Sequence, residues 1–184
     1  MATANFQSAI QKRVAKGLPG DKASLNPFVY TERNYIAGDG KVTVGKFVWA
    51  DSETPDEDNA PGVLRALSSG GDGLKPLGIV ERNLSGIDYD LLDGGTLTLP
   101  EFTPLNIVRR GDLYVVATMD AAKGNKVYAA YADGSLQIHP SGQDIYGAIE
   151  TGWEVAEGGA EGELITITSW NTDVVTITIN NDPQ

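Results

Sequence analysis

Turn chemistry returns so often along this sequence that no long helix fits between one turn and the next. Asp93-Gly94-Gly95, Arg110-Gly111-Asp112, Lys123-Gly124-Asn125 and Asp133-Gly134 are all turn formers. Between them the apolar residues recur with a period of two, as in half-buried strands. Strands are expected over Leu77–Arg82, Thr96–Leu99, Leu105–Arg109, Leu113–Thr118, Lys126–Ala130, Leu136–His139, Ile145–Glu150, Leu164–Trp170 and Val174–Ile179. Short strands spaced by about 8–12 residues argue for an antiparallel sandwich or barrel. Ala132-Asp133-Gly134-Ser135, set between two strand patterns, is the clearest hairpin.

Upstream, Lys41–Trp49 alternates well enough for one strand, with Gly45 as a bulge. Residues 51–76 show no period, and only Val63, Leu64 and Leu67 suggest a helical turn. The last strand pattern, from Thr172 to Ile179, is rich in Thr and β-branched residues. It needs a partner, either by closure of the sheet or by pairing between subunits.

The first 30 residues differ from the rest. Phe6, Ala9, Ile10 and Val14 fall near helical spacing, but Gly17, Pro19, Gly20 and Pro27 limit any helix to about three turns. The reading is an N-terminal arm over 1–35 and a β-sandwich or barrel domain over 36–184. Lys12, Arg13, Lys16 and Lys22 against Asp21 give residues 1–30 a net charge of +3, within a chain of −11 overall. The remaining body is therefore strongly acidic and repels nucleic acid and membrane phosphates, so neither is expected as a partner. No apolar run approaches the ~18 residues of a membrane span. The opening residues lack the basic-then-apolar order of a signal peptide, so synthesis in the cytoplasm is expected.

A search for chemistry returns little. The chain has no cysteine and one histidine, His139, which excludes thiolate and two-histidine metal sites within one chain. No nucleophile motif accompanies His139. Gly70-Gly71-Asp72-Gly73-Leu74-Lys75-Pro76 lacks phosphate-loop spacing, and Pro76 stands where the metal-binding hydroxyl belongs. Asp51, Glu53, Asp56, Glu57 and Asp58 offer oxygens for calcium but lack the glycine and the bidentate glutamate of a calcium loop, so a solvated acidic loop is favoured. No carboxylate pair is marked for glycoside hydrolysis. Trp49, Trp153 and Trp170 fit core or interface positions better than a sugar platform. The expectation is a protein without enzymatic activity or cofactor.

Several segments are familiar in order. Ala4-Asn5-Phe6-Gln7-Ser8-Ala9, then Lys16-Gly17-Leu18-Pro19-Gly20-Asp21, resemble the opening of the phage structural cement protein family. Val44-Gly45-Lys46-Phe47-Val48-Trp49-Ala50, Gly111-Asp112-Leu113-Tyr114-Val115 and Lys126–Leu136 resemble its later segments. Residues 51–76 and 157–163 fit no segment of that pattern. The resemblance implies a jelly-roll-like sandwich that sits on the outer surface of a virion capsid as a homo-dimer or homo-trimer and clamps neighbouring major capsid proteins. On it, residues 4–30 are the capsid-contacting arm. Phe6, Ile10, Val14, Leu18 and Phe28 are its apolar anchors, and Lys12, Arg13, Lys16 and Lys22 face acidic capsid patches. The alternative for the arm is that it folds back on its own barrel or swaps between subunits. The rival for the whole chain is a glycan- or receptor-binding β-module of a phage tail or surface adhesin.

Overall fold

The computed structural model of the chain describes residues 16–51, 63–83 and 97–170. These residues form twelve strands and no helix: β1 (Val29–Tyr30), β2 (Tyr35–Ala37), β3 (Phe47–Ala50), β4 (Leu64–Leu67), β5 (Gly78–Val80) and β6 (Pro104–Leu105), followed by β7 (Ile107–Arg110), β8 (Asp112–Val116), β9 (Lys126–Ala130), β10 (Leu136–His139), β11 (Ala148–Glu157) and β12 (Leu164–Thr168). They build two sheets, one ordered β1-β7-β5-β3-β4-β2-β6 and the other β10-β9-β11-β12-β8. Every pairing is antiparallel except β2 with β4, which run parallel. The all-β architecture expected from the turn spacing is the one observed, and a jelly-roll-like arrangement is compatible with it.

The two sheets differ in pattern because they differ in burial. In the five-stranded sheet β10 and β12 alternate, with Leu136 and Ile138, and Ile165 and Ile167, pointing inward. They meet Phe47, Trp49, Ile79 and Val108 from the seven-stranded sheet to form the inter-sheet core. The seven-stranded sheet is covered on its far side as well. There Val48, Val80, Ile107, Leu64 and Ala66 pack under Val42, Val44 and Leu99. A narrow ribbon makes this cover: Thr43 bridges Thr98, Leu99 N donates to Val42 O at 2.7 Å, and Val44 N donates to Leu97 O at 2.9 Å. Burial on both faces explains why β3 and β5 read as unbroken apolar runs.

Several local expectations shift. Lys41–Trp49 is not one strand: Lys46 N donates to Thr43 O, and a turn at Gly45 sends residues 42–44 to the ribbon and 47–50 into the sheet. Val63, Leu64 and Leu67 do not make a helical turn. Leu64 and Ala66 face one side of strand β4, and the 64/67 spacing only coincides with that of a helix. The strand expected at Ile145–Glu150 begins at Ala148 and runs on to Glu157, with its register to β9 broken between Glu150 and Glu154. Strands β1 and β2 had no counterpart in the sequence reading. The hairpin at 132–135 is present and joins β9 to β10. The strand expected over Val174–Ile179 lies outside the described residues, as does the acidic run beyond Asp51.

Candidate functional site

The N-terminal segment is the feature that sets this molecule apart from a plain sandwich. Leu18-Pro19-Gly20-Asp21 forms a tight turn in which Asp21 N donates to Leu18 O at 3.0 Å and Leu18 N donates to Asp21 Oδ2 at 2.9 Å. Pro at the second position and a left-handed Gly20 (φ 83°) at the third are the residues such a turn selects. A Cβ at Gly20 would sit 2.4 Å from Val44, so the turn also needs glycine to approach the ribbon.

From that turn the chain straps both sheets together. Gly20 N donates to Tyr114 O at 2.8 Å, Tyr114 N to Asp21 O at 3.0 Å and Ala23 N to Asp112 O at 2.8 Å, so residues 20–23 extend the five-stranded sheet beyond β8. Six residues beyond Ala23, Val29 and Tyr30 pair with β7 on the edge of the other sheet. Strands β7 and β8 are joined by Gly111 alone, so the strap wraps the corner where the chain passes from one sheet to the other. Phe28 lies on that corner, against Gly111 and the inter-sheet core. Asp112 is buried at the corner, and its Oδ2 accepts hydrogen bonds from Ser24 Oγ (2.5 Å) and Asn26 Nδ2 (2.6 Å).

Charges pin the strap further. Lys22 Nζ lies 3.3 Å from Glu81 Oε1, and 4.9 and 5.7 Å from the ring centroids of Phe28 and Tyr30. The Tyr30 hydroxyl raises the Lys22 pKa above its ordinary value. Burial opposes that rise and Glu81 adds to it. Burial raises the Tyr30 phenol; Lys22 opposes and Glu81 adds. Both groups hold their protons more tightly folded than unfolded. Their contribution is therefore full below the ordinary values of 10.0 and 10.5 and is lost as pH rises through the raised ones. Absorbance titration of the tyrosines should find Tyr30 ionising late. In Lys22→Met, which removes the one opposing cation, it should ionise later still; an earlier ionisation would refute this account of the cluster.

Of the nine residues expected to contact a partner, Phe6, Ile10, Lys12, Arg13 and Val14 lie outside the described residues. Lys16 pairs with Glu157 at 2.6 Å and Lys22 with Glu81, yet both side chains stay about half exposed, at 48% and 47%. Leu18 is exposed, whereas Phe28 is turned inward. The sequence reading missed Leu25 and Val29, which are exposed on the same strap. It also missed the role of Asp112, which the sequence marks only as part of a turn and of a family-like segment.

The other candidates resolve into structure. Trp49 and Trp153 are buried, and Trp170 is partly exposed. The glycine-rich stretch 70–76 folds over Trp49: Trp49 Nε1 donates to Leu74 O at 3.0 Å, and Gly73 N donates to the Tyr131 hydroxyl at 2.8 Å. His139 stacks edge-on to Tyr128, with ring centroids 5.8 Å apart. Among the described residues no three acidic, histidine or cysteine side chains gather to hold a metal, and no helix is long and apolar enough to cross a membrane.

A double sheet with no helix among the described residues, laced at one corner by its own N-terminal segment, defines an all-β module. The profile of one family, described as structural cement protein (E217 gp24/Pam3 gp6), matches residues 6–169. The chain belongs to that family and is a phage structural cement protein. No curated protein sequence matches it significantly. Among solved structures it is similar to a chain of "The capsid of Myoviridae Phage XM1", with a TM-score of 0.57 and 17% identity over 90% of this chain and 98% of that one. A weaker likeness, TM-score 0.36 and 13% identity over 73% of this chain and 91% of that one, is to the head fiber gp8.5 N base of bacteriophage phi29.

Proposed function

We propose that the protein binds the outer surface of an assembled phage head through residues 4–30 and bridges neighbouring major capsid proteins as a homo-dimer or homo-trimer, without catalysing a reaction. The arm over 1–35 and the domain over 36–184 are parts of one device on this reading. Residues 16–35 anchor the arm to its own sandwich, and its outward side chains meet the capsid. The observation that carries the proposal is the exposure of three apolar residues on the strap, Leu18 at 48%, Leu25 at 105% and Val29 at 43%. A chain already holding its backbone in place loses less conformational entropy on docking. Lys16 and Lys22, half exposed beside their own carboxylates, can still share their charge with an acidic patch on the capsid. Many copies on one shell make a modest single contact sufficient.

Mixing purified protein with undecorated capsids tests this. The intact chain should bind stoichiometrically and raise the capsid melting temperature. Deletion of residues 2–24 should abolish binding while the far-UV spectrum stays β-like. That deletion also removes the strap's hydrogen bonds to β8, so a second variant is needed. Leu18→Asp with Leu25→Asp changes only exposed side chains and should weaken binding by about tenfold or more. Normal decoration by both variants would overturn the proposal.

A further inference from the structure

A cleft of about 860 Å³ lies between the sheets, lined by Lys75, Arg109 and Arg110 from the seven-stranded side and by Glu150, Trp153 and Trp170 from the other. It brings together three cations and one carboxylate on a chain whose net charge is −11. Lys75 and Arg110 make no ion pair among the described residues. Arg109 has only an exposed contact, 3.5 Å to Glu32. Arg110 lies over the Trp170 ring, 5.9 Å from guanidinium to centroid.

We propose that this cleft takes an acidic, extended segment of the capsid protein, with Lys75 and Arg110 meeting its carboxylates and Trp170 its aliphatic portions. The occupant named here rests on the capsid-binding reading above. Guanidinium groups bind carboxylates in a fixed fork, and a flat indole alongside offers apolar contact. The backbone of β11 loses its register with β9 between Glu150 and Glu154 at this place, and a Cβ at Gly152 would meet nothing within 4 Å. A passing chain thus finds room along the floor. A long phosphate backbone would have to continue over the acidic body, which disfavours nucleic acid as the occupant.

Hexaglutamate is the probe, with tryptophan fluorescence as the readout, since Trp170 is exposed while Trp49 and Trp153 are buried. The intact chain should show a saturable change that weakens with salt. Lys75→Ser with Arg110→Ser alters only exposed side chains, so its melting temperature should match that of the parent. It should bind hexaglutamate about tenfold more weakly and decorate undecorated capsids about tenfold more weakly. If the double variant matched the parent on peptide and capsid alike, the inference would fall while the capsid-binding reading stood. If the parent bound hexaglutamate but no capsid, that reading would fall and take the named occupant with it. A signal from a neutral oligosaccharide or an oligothymidylate, with none from hexaglutamate, would also overturn the inference.

Discussion

Gly134→Val is expected to lower the melting temperature by about 6–12 °C, corresponding to a loss of about 3 kcal/mol in a domain of this size. The hairpin between β9 and β10 lies against the backbone of β3 in the opposite sheet. Phe47 N donates to Gly134 O at 2.9 Å, and a Cβ at Gly134 would fall 2.1 Å from Phe47 O. A side chain there must push the two sheets apart or break that bond, and it must also adopt φ 67°, which costs about 1–2 kcal/mol for a non-glycine residue. Gly124 separates the two effects. Its φ is 87°, but nothing lies within 4 Å of the Cβ position. Gly124→Ala should therefore lose only about 1 kcal/mol. Thermal melts of the two variants beside the parent chain decide the matter: equal losses would mean that the contact with β3 contributes nothing.

That hairpin also marks how far sequence reasoning reaches. Its existence was legible in Asp133-Gly134, because the turn is selected locally. Asp133 Oδ1 accepts from Ser135 N at 3.1 Å and from Ser135 Oγ at 2.6 Å, all within three residues. Its docking on β3 was not legible, since Phe47 is 87 positions away and no pattern links them. The same division holds across the fold. Leu136–His139 keeps its expected bounds because its hydrophobic pattern matches one buried face, and Lys126–Ala130 keeps them because its four apolar residues in a row are all buried. The segment 41–50 misleads because the alternating Lys41–Val44 of the ribbon runs directly into the apolar Phe47–Trp49 of β3, so the corner at Gly45 leaves no break in the pattern.

The candidate site was legible in outline and not in wiring. A basic, Pro- and Gly-punctuated arm could be read from residues 1–30, and the family resemblance followed from short ordered segments. Two fates were open for the arm, to reach outward or to fold back, and for residues 16–35 the structure shows contact with their own chain. That contact is carried by backbone hydrogen bonds and by one aspartate almost ninety residues away, and neither leaves a periodic trace. Composition did show that the body is acidic. It did not show that Lys75, Arg109 and Arg110, separated by over thirty positions, meet in one cleft.

Asp112→Ala should release the strap. The Asp112 carboxylate is buried, and among the described residues its hydrogen-bond donors, Ser24 and Asn26, both belong to the strap. Hydrogen bonds to an ionised group contribute about 1.5–3 kcal/mol each, and the two donors are partly exposed. A combined loss of about 2–3 kcal/mol is therefore expected, rather than the full sum. The loss should be local. Amide exchange at Gly20 and Ala23, which donate to β8, should quicken by about 30- to 100-fold, while Ile165 and Ile167 in the inter-sheet core keep their protection. Asp112→Asn, which retains an acceptor without the charge, should fall between the two. On undecorated capsids the Ala variant should bind more weakly than its modest change in global stability suggests, because the strap that carries the exposed Leu18, Leu25 and Val29 is then no longer held in place before docking. Unchanged exchange at Gly20 and Ala23 in Asp112→Ala would show that the backbone pairing alone holds the strap, and that the buried carboxylate serves the corner between the sheets instead.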